Sequence, residues 1–451
     1  MSNINHRMMK SNTCIDVNFE GGELSSDSGL LLVKEFIHKL GFDALIKKYF
    51  HTRGEGFFRI HTDYGNFMQM LLQIIAGYFA DDCADNLTVD PVFTACLDKP
   101  VLASQPTISR FFKRMDECSL TQMEQIQRMM RSIVYSLPGQ RPNIMVFDLD
   151  TTLLNTYGNQ EGKAWNYHYG ADGYHPKVCF DGITGDLLRI DLRKGTEYCS
   201  NNVVEFMKPL FEEFTQKYKF TNLFLRGDSG FAAPELYTQC EEHGCQYAIR
   251  LKQNSVLINK AAELAKELDV ITKDDKVSYA CVFGEFQYAA NTWDKERRVI
   301  CKIEKPQNSI VYQYTFIVTT IHDTPEWVVK YYCKRGTMEN YIKEGKNGFD
   351  FSAVSSSSMI VNSNRLQLHA IAYNIINWMR RLVFPDTMQD ATIDTIRLRL
   401  IKIASRIIRH AHKLVFKLCS SCPYKYEFFK IMDNISKLNP FQSLKNLEPA
   451  S

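Results

Sequence analysis

"IMVFDLD", residues 144–150, is an apolar run of strand length that ends in two carboxylates. With a side-chain period of two, Asp148 and Asp150 share one face of such a strand. Everything upstream reads differently. In residues 1–140 the segments "SDSGLLLVKEFIHKLGF", "GNFMQMLLQIIAGYFA" and "LTQMEQIQRMMRSIVYSL" carry helical periodicity, with Ser, Asp or Asn at plausible starts. Between them "SQPTISRFFKRMD" (104–116) leads from a Ser/Thr-rich start into a short basic helix. As a helix-turn-helix reader it places Gln105, Thr107, Ser109 and Arg110 near DNA; a capped surface helix accounts for the same residues. "GQRPN" closes this helical part.

Downstream of residue 150 the pattern alternates. "HPKVCFDGITGDLLRIDLRKG" (175–195) predicts a hairpin and "NNVVEFMKPLFEEFTQKY" a helix. The strand "FTNLFLRGDSG" (220–230), the helix "APELYTQCEEHG" and the strand "QYAIRLK" follow. Three strands, helix, strand, helix, strand is the order of a ribonuclease H-like α/β layer with a mixed sheet, here residues 141–250. Residues 251–325 hold hairpin-like segments and predict a β-rich insertion. Residues 326–360 then supply the closing helix, and residues 361–451 a helical C-terminal part. In that last part the basic run from Arg397 to Lys417, with apolar residues at helical spacing, predicts one helix that contacts DNA phosphates.

The chain of 451 residues is long enough for two or three domains with a sizeable core. Its 54 basic and 51 acidic residues leave a net charge of only +3, so charge alone does not announce a nucleic-acid partner. Thirteen cysteines, an odd number without repeated spacing, suit reduced thiols in a cytosol, and "CSSC" (419–422) lacks a second pair for a zinc site. The first residues of the chain, "MSNINHRMMKSNTCID", lack the apolar core expected of a signal peptide. Its longest apolar stretch, residues 67–80, is shorter than a membrane crossing requires, which predicts a cytoplasmic protein with no membrane partner.

The closing helix, "YYCKRGTMENYIKEGKNG" (331–348), is unusual for what it gathers. At about 100° per residue, Tyr332, Arg335, Glu339 and Lys346 fall within roughly 60° of one another. A solvated face with an Arg335–Glu339 ion pair is one explanation. The two inner strands offer another, since each carries an Asp near its end, Asp150 and Asp228. With Glu339 beside them, three carboxylates from distant parts of the chain converge, a cluster that repels itself unless cations fill it. Hard oxygen ligands suit Mg²⁺ or Mn²⁺, and two such ions catalyse in-line phosphoryl displacement. Arg335 and Lys346 can then hold the flanking phosphates, with the Tyr332 hydroxyl as a further donor.

Residues 332–346 also have the pattern YxxRxxxExxxxxxK, which resembles the Tyr-Arg-Glu-Lys signature of a group of bacterial insertion-sequence DDE transposases. "DLDTT" and "RGDSGF" resemble that group's two Asp motifs, "GYHPKVCFDGITGDLL" its following strand pair, and "FEGGELSSDSGLLL" and "SQPTISRF" its early portions. The resemblance implies cut-and-paste DNA transposition by a homodimer that binds terminal inverted repeats and target DNA, in a bacterial cytoplasm and on the nucleoid when bound. It implies that Asp150, Asp228 and Glu339 are catalytic metal ligands for two Mg²⁺ (or Mn²⁺) ions, and that Tyr332, Arg335 and Lys346 touch the DNA backbone. It selects Asp150 over Asp148 because the group's Asp stands two before a Ser or Thr, here Thr152. Relatives stack an aromatic of the insertion on a flipped base, which nominates Trp293 as a DNA-binding residue; a core or hairpin Trp is the competing account.

Two rivals remain. "DLDTT" after an apolar strand also resembles the first motif of haloacid-dehalogenase-type phosphatases, with Asp148 as nucleophile, although about 140 residues precede it and "GDSGFA" lacks that group's second late acid. A catalytically retired transposase that only binds DNA is the other.

Overall fold

The computed structural model describes residues 7–54, 59–219, 221–273, 279–306, 311–411 and 413–440. The chain divides into two compact units: one gathers the described residues of 1–140, 346–353 and 364–451, the other those of 141–345 and 354–363.

The first unit is built around helix Asp63–Ala76, which is almost wholly buried, its polar Asn66, Gln69 and Gln73 included; Gln69 exchanges hydrogen bonds with the Ala103 backbone. The Thr62 side chain accepts from the Gly65 N–H at its start, and Gly77, at φ 91°, ends it. Helix Glu117–Ser136 begins at a capping box in which Asp116 and Ser119 satisfy each other's backbone N–H groups. Helix Gln105–Lys113, the predicted DNA reader, buries Ile108, Phe111 and Phe112 and leaves Arg110 exposed.

The C-terminal basic run does not form the expected helix. After a short π-helical turn at Arg397–Ile401, strands Ser405–His410 and Lys413–Leu418 pair antiparallel, with Ser405 opposite Leu418. The β-branched Ile407, Ile408 and Val415 favour a pleated surface. Arg397 is committed inward: its guanidinium donates to the carbonyls of Ile74 (3.0 Å) and Ile75 (2.9 Å), at the carbonyl end of helix Asp63–Ala76. The basic run is therefore a hairpin preceded by a helix-capping arginine.

The second unit carries an eight-stranded mixed sheet. Its strands are β1 (Ile144–Thr151), β2 (Lys177–Asp181), β3 (Leu187–Asp191), β4 (Asn222–Gly227), β5 (Gln246–Leu251), β6 (Ala280–Tyr288), β7 (Arg297–Lys305) and β8 (Gln313–Thr319). They lie in the order β6-β7-β8-β5-β4-β1-β2-β3. β1, β4 and β5 run parallel; β2 and β3 complete one edge antiparallel, with Gly185 at φ 72° in their turn. The region expected as an insertion does not stand apart. It opens with two helices, Ser255–Lys260 and Ala262–Ile271, and its strands extend the same sheet, β8 pairing antiparallel with β5.

Helices α1 (Val203–Glu212), α2 (Pro234–Glu242), α3 (Ala262–Ile271), α4 (Pro325–Cys333) and α5 (Thr337–Gly348) accompany the sheet. Phe147 of β1 meets Phe211 of α1 edge-on, with ring centres 5.5 Å apart. Val328 and Val329 of α4 pack with Ala248, Ile300 and Ile317 of the sheet, and Tyr331 and Tyr332 close over them. Among the described residues no helix is long and apolar enough to cross a membrane.

Candidate active site at the ends of β1 and β4

The register of β1 and β4 places Arg226 opposite Asp148 and Gly227 opposite Leu149, so Asp150 and Asp228 follow side by side where the parallel strands end. Alternation sends Phe147 toward α1 and Asp148 and Asp150 to the opposite face. Asp148 is 0% exposed, and both its oxygens accept from Arg226, at 2.6 and 2.7 Å. The same guanidinium donates to the Tyr331 carbonyl (2.9 Å), tying the end of α4 to the sheet, and lies over the Tyr331 ring. Gly182 is required beside this pair, because a Cβ there would lie 2.5 Å from an oxygen of Asp148 and a nitrogen of Arg226.

Two residues further on, Asp150 stands at the rim. One of its oxygens accepts the Thr151 N–H (2.8 Å), and the other faces Arg335 at 2.9 Å. Burial pushes the Asp150 carboxyl above its usual range, Arg335 and the Thr151 N–H pull it down, and the charge of Asp228 pushes it up again. Asp228 caps the short turn Ser229–Phe231 through the Gly230 N–H (2.9 Å).

α4 and α5 are not one helix. A 3₁₀ turn, Lys334–Gly336, separates them, so the aligned stripe of the sequence is broken between Arg335 and Glu339. Arg335 turns to the sheet, donating to the Leu149 carbonyl (2.9 Å) as well as pairing with Asp150, and forms no ion pair with Glu339. Glu339 is exposed in the first turn of α5. Tyr332 is half-buried against the core under α4. Lys346 lies on the last part of α5, which clusters with the first unit.

The structure thus brings together Asp150, Asp228, Arg335 and Tyr332, and leaves Glu339 outside that group. Among the described residues, no three His, Cys, Asp or Glu side chains stand close enough to share an ion. Trp293, in the connection between β6 and β7, meets Tyr237 and Tyr288 edge-on, each at 5.3 Å, with the Arg297 guanidinium 5.8 Å away, so it is a packed residue. Asp148, the nucleophile of the phosphatase account, is sealed by Arg226.

The model of the family described as "Transposase DDE domain group 1" matches residues 7–440. The chain belongs to the DDE transposases. Members of this family cut and join DNA strands in transposition and use divalent metal ions. No curated protein matches the chain. Among solved structures it is similar to a piggyBac transposase in a synaptic complex with hairpin DNA, at 12% identity and a TM-score of 0.44, over 84% of this chain and 80% of that one.

The donor set of this transposase suits hard divalent ions. Two carboxylates emerge from adjacent strands, each with one oxygen fixed by a backbone N–H, which leaves the other to a cation. In the structure Arg335 supplies that cation to Asp150. Sequence reasoning did not find Arg226 as the partner of Asp148, nor Tyr169, whose hydroxyl donates to the Thr151 carbonyl (3.2 Å). Nor did it find Cys199, whose sulfur is 3.3 Å from the Thr151 hydroxyl. The only available signal was the Arg two before Asp228, opposite the Asp two before Asp150.

Proposed function

We propose that this transposase is of the bacterial insertion-sequence type with the Tyr-Arg-Glu-Lys signature, and that its catalytic core is ribonuclease H-like. The strand order β3-β2-β1-β4-β5, with β1, β4 and β5 parallel, supports that core. Acting as a homodimer in the cytoplasm, it binds the terminal inverted repeats of its element and moves the DNA by strand cleavage and strand transfer.

The observation that carries the reading is the pairing of Asp150 and Asp228 at the ends of adjacent parallel strands, with Arg335 against Asp150. Asp150 and Asp228 would hold Mg²⁺ or Mn²⁺, and Glu339, exposed in the first turn of α5, would join them as third ligand only by moving toward them; two such ions would supply an activated water or 3′-hydroxyl and a stabilised leaving oxygen. With a metal ion bound at Asp150, Arg335 would no longer be needed as its counter-charge and could hold a DNA phosphate through its two-pronged donor face. Lys346 adds a point charge to the backbone, and the Tyr332 hydroxyl a donor. Arg110, exposed on helix Gln105–Lys113, adds a DNA contact from the first unit. Trp293 is not assigned a DNA contact, because two rings and a guanidinium already engage it.

The test is cleavage of end-labelled DNA that carries the gene's own flanks, with Mg²⁺ or with chelator, by wild type and Glu339→Gln. Metal-dependent nicking at the element's ends is expected from wild type, with binding but no nicking from the variant. Binding without cleavage by either protein would instead make the chain a retired, DNA-binding transposase.

A further inference from the structure

Between Asp150 and β2 the chain makes an excursion, residues 152–176, that folds as a small three-stranded sheet. Its strands Leu154–Asn155, Ala171–Tyr174 and Ala164–Asn166 lie in that order, with Trp165 opposite Asp172. It is firmly rooted. Leu154 and Tyr174 are buried, the Tyr174 hydroxyl donates to the Glu161 carbonyl (2.6 Å), and the Asn166 amide donates to the Gly195 carbonyl (2.8 Å).

What it holds outward is unusual. Tyr157 is 94% exposed, Tyr167 91% and Trp165 49%, and Tyr169 is exposed beside them with its ring 4.7 Å from that of His168. Single exposed rings are ordinary, but one indole and three phenols in a short rooted sheet form a concentrated aromatic surface. The excursion's charge is two carboxylates, Glu161 and Asp172, against one lysine, Lys163, so the surface is not built to track phosphates. It is also continuous with the acids. The Tyr169 hydroxyl is bonded to the carbonyl of Thr151, the residue after Asp150, and burial together with the charges of Asp150 and Asp228 raises its pKa to about 12.

We propose that the excursion at residues 152–176 is a base-stacking platform, on which Tyr157, Trp165 and Tyr167 take unpaired DNA bases of the strand that reacts beside Asp150. This rests on the DNA-cleaving function proposed above and locates the aromatic contact outside the β6–β8 region where Trp293 lies. Aromatic faces bind any base through its π-face, so the contact is tolerant of sequence.

The test uses the full chain and two fluorescent probes: a blunt duplex of the gene's flank, and the same duplex ending in a short single-stranded thymidine overhang. Wild type is expected to prefer the overhang. Tyr167→Ala and Trp165→Ala should each lose about 5- to 150-fold of affinity for it, as base–aromatic stacking lost to alanine predicts. Blunt-duplex binding and the salt dependence of both probes should stay unchanged, and Tyr167→Phe should bind as wild type because the ring does the stacking. Equal binding of both probes by wild type, or alanine variants that change oligomeric state and not overhang affinity, would overturn the platform. Flank cleavage by wild type, run in parallel, tells that failure from a failure of the transposase reading, in which neither cleavage nor DNA binding occurs.

Discussion

Asp148 and Asp150 lie two residues apart on one face of one strand, and each faces an arginine, yet the two pairs are built for different ends. Asp148 is fully buried and bidentate with Arg226, which also anchors α4 through the Tyr331 carbonyl. Asp150 meets Arg335 through a single oxygen at the rim, where Asp228 adds a repelling charge. Depth decides the difference. A dry ion pair with both carboxylate oxygens engaged by one guanidinium is closed to a ligand, whereas a rim carboxylate with one exchangeable cation can give it up for a metal ion.

The widest separation between the two pairs comes from neutralising each acid. Asp150→Asn should slow flank cleavage by about a thousandfold or more, the equivalent of losing several kcal/mol of metal-borne transition-state stabilisation. Its thermal midpoint should stay near that of wild type. Asp148→Asn should do the reverse, since it leaves the Arg226 charge buried without a counter-charge and costs roughly 3–5 kcal/mol of stability. Urea denaturation and single-turnover cleavage on both variants check this. An Asp148→Asn protein that melts like wild type would break the comparison.

A smaller effect sharpens it. Gly182→Ala puts a methyl group 2.5 Å from both members of the inner pair, and overpacking of that kind costs about 1–3 kcal/mol. Relief by a backbone shift would show as a loss toward the low end; no loss at all would mean that the inner pair is looser than its distances indicate.

How much of this was legible in the sequence follows from the range of the interactions. The strands that carry Asp150 and Asp228 were readable because apolar runs bounded by turn residues report local structure, and their parallel pairing followed from the helix between them. The break between Arg335 and Glu339 was not readable. On a helical wheel the two residues are aligned, and what turns Arg335 away is a carboxylate 185 positions earlier in the chain, with the Leu149 carbonyl beside it. The basic C-terminal run misled for a related reason. Its apolar residues fit a helical spacing and a strand alternation alike, and the choice is made by pairing between Ser405–His410 and Lys413–Leu418 and by the carbonyls of Ile74 and Ile75 drawing Arg397 inward. The aromatic excursion was present in plain letters, but only exposure separates a stacking surface from a core.

Lys177 provides a third charge near these acids and the most gradual test of what depth does. It opens β2 directly opposite Thr151 and is buried, with its ammonium bonded to the Asn201 carbonyl (2.6 Å) and lying over the Phe206 ring. Arg226 and Arg335 each have a bonded carboxylate, whereas Lys177 has none bonded to it, and the charges of Asp191, opposite it on β3, and of Glu205 only partly offset its burial. Burial, reinforced by the charge of Arg193, pulls its pKa from 10.5 down to about 7. Between those values the unfolded chain holds a proton that the native protein has released. Stability therefore rises with pH across that window, and the full cost of a charged Lys177 is felt below about pH 7. The slope from this group is at most about 1.4 kcal/mol per pH unit. Lys177→Met, which cannot bind the proton, should be more stable than wild type in acid, with the gap closing steadily toward high pH in urea denaturation. Parallel pH profiles for the two proteins would mean that Lys177 is charged at no cost, and depth alone would then not explain why Asp148 needs Arg226 so completely.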